Sequence, residues 1–141
     1  MTRNVFLASI SAALFLSLLG AQAADSKAVD LSKFPPAKDK SGLTYTTDIK
    51  SIFDASCARC HGADRPKARL RLDSLQGALK GGESGKVILP GDSAKSILVH
   101  CVAHVGHPDT YMPPPKNKAN IQPLTKDQVG IIRAWIDQGA K

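Results

Sequence analysis

Aromatic residues are scarce. The 141-residue chain has one Trp, two Tyr and four Phe, 5% of the total. That is thin for a self-sufficient core of this size, and a bound apolar cofactor would supply the missing packing. Methionine is scarcer still, with two in the chain, one of them the initiator Met1. No paired carboxylates and no nucleophile–base arrangement are evident. The glycines at 81, 82 and 85 do not sit as G-x-G-x-x-G and read as turn residues. No βαβ pattern is visible, and no apolar run is long enough to span a bilayer comfortably.

The longest apolar stretch, Val5 to Leu19, follows Arg3 and precedes Ala21-Gln22-Ala23. A positive start, a short apolar run and an A-x-A site make a secretory signal peptide, expected over residues 1–23 with cleavage before Ala24. Ala24, not Cys, stands at the cleavage point, so a lipoprotein anchor is not expected; no transmembrane anchor is expected after processing either. The expected location is the periplasm or another exported compartment.

Basic residues outnumber acidic ones, 19 to 12, for a formal charge of +7. A basic exported protein can meet anionic lipid, nucleic acid or acidic proteins. No aromatic-basic interleaving supports nucleic acid, which leaves an acidic protein as the expected partner. Lysines that simply keep the surface soluble are the plainer reading.

Against this background one string stands out: Cys57-Ala58-Arg59-Cys60-His61. C-x-x-C-H is the attachment signature of c-type haem. Residues three and four apart share one face of a helical turn. Cys57 and Cys60 can therefore reach two vinyl groups of one haem, while His61 offers a ring nitrogen to the iron from the same side.

Residues 24–44 are polar and lysine-rich, broken by Pro35-Pro36 and Ser41-Gly42, and read as an extended N-terminal arm. The domain is expected over 45–141. Thr46 or Thr47 is positioned to cap a helix with Ile49, Ile52 and Phe53 on one face, which delivers the chain to Cys57. Leu70-Arg71-Leu72 and Lys86-Val87-Ile88-Leu89 are strand candidates that could pair. Between them, Asp73 or Ser74 starts a helix through Lys80, stopped by Gly81-Gly82.

Asp92 or Ser93 is expected to cap a helix to about Val105, with Ile97, Leu98, Cys101, Val102 and Val105 as its apolar stripe. Cys101 then reads as a small buried hydrophobe. His100 and His104 point the other way at the i, i+4 spacing of a metal clamp, without an evident third or fourth ligand. In the last helix Thr125 and Gln128 form a capping box and Leu124 with Val129 a staple. Val129, Ile132, Trp135 and Ile136 form its buried stripe, and Gly139 ends it. The helix before Cys57 is its expected partner surface.

His61 fills one axial position, and Met112 is the leading candidate for the other. It is the sole methionine left after processing, its thioether is a soft ligand, and Pro113, Pro114 and Pro115 stiffen its loop. His100, His104 and His107 are the alternatives. Two axial ligands leave no vacant site for substrate, which points to single-electron transfer rather than catalysis. Three competing readings remain at this stage. One is a labile distal ligand open to peroxide or a small gas. Another is a structural zinc site of Cys57, Cys60, His61 and Cys101, and the last a thioredoxin-like C-x-x-C. Arg59, Arg65, Lys67, Arg69 and Arg71 flank the attachment motif, and Lys116 and Lys118 follow Met112. They would steer an acidic partner or bind haem propionates.

Taken together, the motifs resemble the small planctomycete-type cytochrome c domain. The matching pieces are Asp48-Ile49, Ile52-Phe53, Cys57 to Gly62, Leu70 to Asp73, Gly81-Gly82-x-Ser84-Gly85 and Pro90-Gly91-Asp92. Ser96-x-Leu98, Met112-Pro113-Pro114 and Trp135-Ile136-x-x-Gly139-Ala140 complete the set, which spans Tyr45 to Lys141. The resemblance implies a mainly α, class I-like cytochrome c fold of three to five helices around one covalent haem c. A short two-stranded β pair is compatible with it. It also implies electron transfer, haem attachment at Cys57 and Cys60, a proximal iron ligand at His61 and a distal one at Met112.

Overall fold

The apolar spacing of the last segment becomes the longest helix among the described residues. In the computed structural model, which describes residues 30–141, the α-helices are α1 (Lys50–Ser56), α2 (Ala58–His61), α3 (Leu75–Lys80), α4 (Ile97–Val102) and α5 (Lys126–Asp137). The expected signal peptide and the first residues of the arm lie outside the described residues. The domain is mainly helical, as expected.

Thr125 caps α5 by a reciprocal pair. The Gln128 N–H donates to Thr125 Oγ1 at 3.2 Å, and the Thr125 N–H donates to Gln128 Oε1 at 2.8 Å. Such a cap is worth about 1 kcal/mol. Trp135 is wholly buried and meets Phe53 of α1 edge-on at 6.3 Å and Tyr45 at 6.2 Å. These three rings are the hub of a core short of aromatics. Truncating Trp135 or Phe53 to Ala would cost about 3–5 kcal/mol.

α1 opens differently from its expected cap at Thr46 or Thr47. Thr44 takes that place, its Oγ1 accepting from the Thr47 N–H at 3.2 Å, and one π-helical turn (Tyr45–Ile49) leads into α1. Asp48 completes the cap by accepting from the Thr44 N–H at 3.0 Å. The wider π turn lets Tyr45 and Ile49 both reach the core, where both are buried.

The expected β pair does not form, and the described residues contain no named strand. The backbone groups of the two segments are bonded elsewhere. Leu72 N–H donates to the His61 carbonyl at 2.7 Å, and the Leu72 carbonyl accepts from Tyr45 Oη at 3.0 Å. The Val87 carbonyl accepts from Leu98 N–H at 3.0 Å, and Leu89 N–H donates to Ser96 Oγ at 2.9 Å. Alternation still shows in burial: Leu72 and Ile88 face inward while Arg71 and Leu89 are exposed.

α4 is shorter than expected. It starts after Ser96 and ends at Val102, with Asp92 forming a turn on Lys95 N–H instead of a cap. Ser93 is buried and donates to Asp137 of α5 at 2.9 Å. The inward face carries Leu98, Val99 and Val102, whereas Ile97 is 51% exposed.

The arm is docked over its described part, residues 30–44. Phe34 is buried, its ring 5.1 Å from that of His100 and under the Arg133 guanidinium at 5.4 Å. Lys38 N–H donates to the Gly130 carbonyl at 3.0 Å. A Cβ at Gly130 would stand 2.6 Å from the Pro36 carbonyl oxygen. This glycine is a notch for the arm.

Candidate functional site

The C-x-x-C-H string lies where α1 breaks. Cys57 joins α1 to the single turn of α2, donating to the Phe53 carbonyl at 2.8 Å, and its own carbonyl accepts from the Cys60 and His61 N–H groups at 3.0 and 2.8 Å. Both thiols are free, Cys57 buried and Cys60 half-buried. Burial pushes the Cys57 thiol up to about 12. It is held as a neutral, protected group.

His61 is oriented by the segment that would otherwise have been a strand. Its Nδ1 lies 3.2 Å from the Leu70 carbonyl oxygen. A carbonyl only accepts, so Nδ1 carries the proton and Nε2 keeps its lone pair for a metal.

The Met112 loop returns to the same place from the far side of the sequence. Met112 N–H donates to the Cys101 carbonyl of α4 at 3.0 Å. Downstream, Asn117 pins the loop with three bonds. Its Nδ2 donates to the Pro114 and Ile121 carbonyls at 2.9 Å each, and its Oδ1 accepts from Ile121 N–H at 2.8 Å. The sequence pattern gives Asn117 no role, because its partners, three and four residues away, lie in an irregular loop that no helical or turn spacing marks.

These segments enclose one cavity of about 700 Å3. Cys57, Cys60, His61 and Met112 all line it, with Leu70, Leu72, Val87, Ile97, Leu98, Val102 and Leu124 as apolar wall. The size lies within the roughly 300–1,000 Å3 of cofactor pockets. Ile97, at 51% exposed, and Met112, at 37%, are apolar side chains that a flat apolar group in the cavity would cover. A second, more polar cavity of about 770 Å3 adjoins it, and Ser56 and Arg59 line both.

None of the three alternative histidines lines the cavity. His100 Nε2 is 2.7 Å from the Ala94 carbonyl, His104 stacks on Tyr111, and His107 Nδ1 accepts from the Asp109 N–H at 3.3 Å. His100 and His104 therefore form no metal clamp. Cys101 departs from its expected core position, being half-buried in the cavity wall. Burial raises its thiol. Among the described residues no three His, Cys, Asp or Glu side chains come together as a metal-binding group, so the zinc reading loses its ligand set.

The basic residues divide. Arg69 is paired with Glu83 at 3.3 Å and Arg71 with Asp73 at 2.7 Å. Arg59, Lys67, Lys116 and Lys118 line the cavity, with Asp109 as its one acidic lining residue.

Residues 57–116 match the family model described as Planctomycete cytochrome C. A curated relative, the fructose dehydrogenase cytochrome subunit of Gluconobacter japonicus, is 28% identical over 99 residues, which cover 70% of this chain and 20% of the relative. The chain thus spans about a fifth of that relative's length. No solved structure matches it. The two matches support a cytochrome c-type domain, whose electron-transfer role is carried by a haem. The apolar cavity, two thiols beside a histidine with a free Nε2, and a thioether in the same wall fit that group.

Proposed function

We propose that the protein is an exported monohaem cytochrome c that passes single electrons between periplasmic redox partners. Haem is attached through thioethers to Cys57 and Cys60, with His61 as proximal and Met112 as distal iron ligand. The observation that carries this reading is the convergence of all four side chains on one apolar cavity, from two segments distant in sequence.

Haem, when bound, supplies a one-electron iron couple whose potential depends on its axial donors and their surroundings. The protein's part is positioning. Leu70 fixes the His61 ring and its tautomer, and the Met112–Cys101 backbone bond holds the thioether loop on α4. The proline run limits the loop's freedom, so less entropy is lost in keeping a weak sulfur ligand in place. The apolar walls exclude water, and the four lining cations favour an acidic docking partner.

The curated relative is named as the cytochrome subunit of a dehydrogenase. That favours one specific setting, in which this chain is the electron-accepting subunit of an exported oxidoreductase.

The test is a spectrum and redox titration of the protein exported alongside haem-attachment machinery. The expected results are a thioether-type pyridine haemochrome, haem that resists acid-acetone extraction, and a far-red Met–iron band in the oxidised state. Met112→Ala should remove the band and lower the potential. Extractable haem would end the attachment reading, and an unchanged band in Met112→Ala would end the distal assignment. Carbon monoxide binding to the untreated reduced protein would favour the labile-ligand reading instead.

A further inference from the structure

Tyr111 immediately precedes Met112, and its ring lies face to face on His104, with centroids 4.5 Å apart and planes 4° from parallel. Around this pair the chain between α4 and Met112 closes on itself. Val105 N–H donates to the His100 carbonyl at 3.0 Å, Tyr111 Oη donates to the Gly106 carbonyl at 3.3 Å, and Met112 N–H reaches the Cys101 carbonyl at 3.0 Å.

Two features of His104 call for a reason. Its φ is +54°, a left-handed conformation that a non-glycine residue keeps only where its surroundings hold it. Its buried Nε2 has no hydrogen-bond partner among the described residues. A buried nitrogen without a partner is unfavourable. The ring is therefore held by its face, not by its polar atoms, and that face is occupied by Tyr111.

We infer that the His104–Tyr111 stack is a clasp that positions the Met112 sulfur in the haem cavity and so limits how often the distal position opens. His104 and Tyr111 act through Met112 and are positioning residues. The inference rests on Met112 as distal ligand.

The test uses cyanide on the oxidised holoprotein, since cyanide reaches iron only when the methionine bond has opened. His104→Ala and Tyr111→Leu should bind cyanide roughly two- to tenfold faster, the range of one lost stacked pair. Their Met112 amide proton should also exchange faster with solvent. His104→Phe keeps a ring face without a nitrogen, and its rate should stay within about twofold of the unsubstituted protein. Unchanged rates in His104→Ala and Tyr111→Leu overturn the clasp. A His104→Phe rate equal to that of His104→Ala also overturns it, because the nitrogen and not the face would then matter. If His104→Ala does not fold, Tyr111→Leu against His104→Phe makes the same comparison. Met112→Ala separates the two readings. Persistence of the far-red band there defeats the ligand assignment, whereas its loss alongside unchanged clasp variants defeats the clasp alone.

Discussion

His61 Nδ1 stands 3.2 Å from the carbonyl oxygen of Leu70, so the His61 imidazole is oriented by a backbone acceptor nine residues further along the chain. Two other bonds hold that acceptor's segment in place. Leu72 gives its N–H to the His61 carbonyl and takes the Tyr45 hydroxyl on its own carbonyl. The ring, the segment and the core tyrosine form a continuous chain of contacts.

The first prediction concerns the tautomer. Nitrogen NMR of the haem-free protein should show the neutral His61 ring protonated on Nδ1 and bare on Nε2. A majority of the opposite tautomer would mean that the Leu70 bond does not organise the ring, and the metal-facing nitrogen would need another explanation.

Tyr45 carries the second. Burial chiefly, with the Asp54 and Asp73 carboxylates and Cys57 adding to it, pushes its phenol from 10.0 up to about 12. Below pH 10.0 the hydroxyl is protonated in both folded and unfolded chains, and its contribution to stability is fully present. Between 10.0 and about 12 the unfolded chain has lost the proton that the folded one keeps, so stability falls as pH rises. Tyr45→Phe should cost about 1 kcal/mol at neutral pH for the lost bond to Leu72. It should also show a shallower alkaline decline in urea midpoint than the unsubstituted protein. Parallel declines would show that Tyr45 is not the titrating group.

Gly130 carries the third. Alanine in a helix interior is ordinarily better than glycine by about 1 kcal/mol. Here its methyl would stand 2.6 Å from the Pro36 carbonyl oxygen, so the arm or the helix must yield. Gly130→Ala should lower stability by about 1–2 kcal/mol and expose residues 30–44 to limited proteolysis. A more stable variant with an intact arm would show that the notch has no such role.

What the sequence made legible was local. Cys57 to His61 are contiguous, so their shared face follows from helical spacing, and the Thr125–Gln128 box lies within one turn. Met112 could be singled out because so few sulfur ligands exist in the chain. What stayed hidden depends on contacts distant in sequence. Phe34 and Pro36 meet α5 across most of the chain, and Leu70 to Leu72 kept a strand-like alternation while giving their backbone bonds to His61 and Tyr45. The apolar spacing of Ile97 and Cys101 was correct, yet the face they share with Leu98 turns toward a cavity. A one-dimensional pattern does not distinguish a wall from a core, because both reward apolar side chains.

The last prediction follows from the division of the basic residues. Arg69 and Arg71 are neutralised by Glu83 and Asp73, whereas Lys116 and Lys118 line the cavity without an ion pair among the described residues. Exposed unpaired cations at the mouth of a redox site raise the local concentration of anions, an effect that salt screens. Oxidation of the reduced protein by ferricyanide should therefore slow as ionic strength rises. Replacing both lysines, as Lys116→Glu with Lys118→Glu, should lower the rate at low salt by about tenfold. The two proteins should converge near 1 M salt, where the screening length is about 3 Å. Stopped-flow traces across a salt series provide the measurement. If the doubly reversed protein matches the unsubstituted one at low salt, electrons leave by another face, and the acidic partner proposed for this mouth must be sought elsewhere.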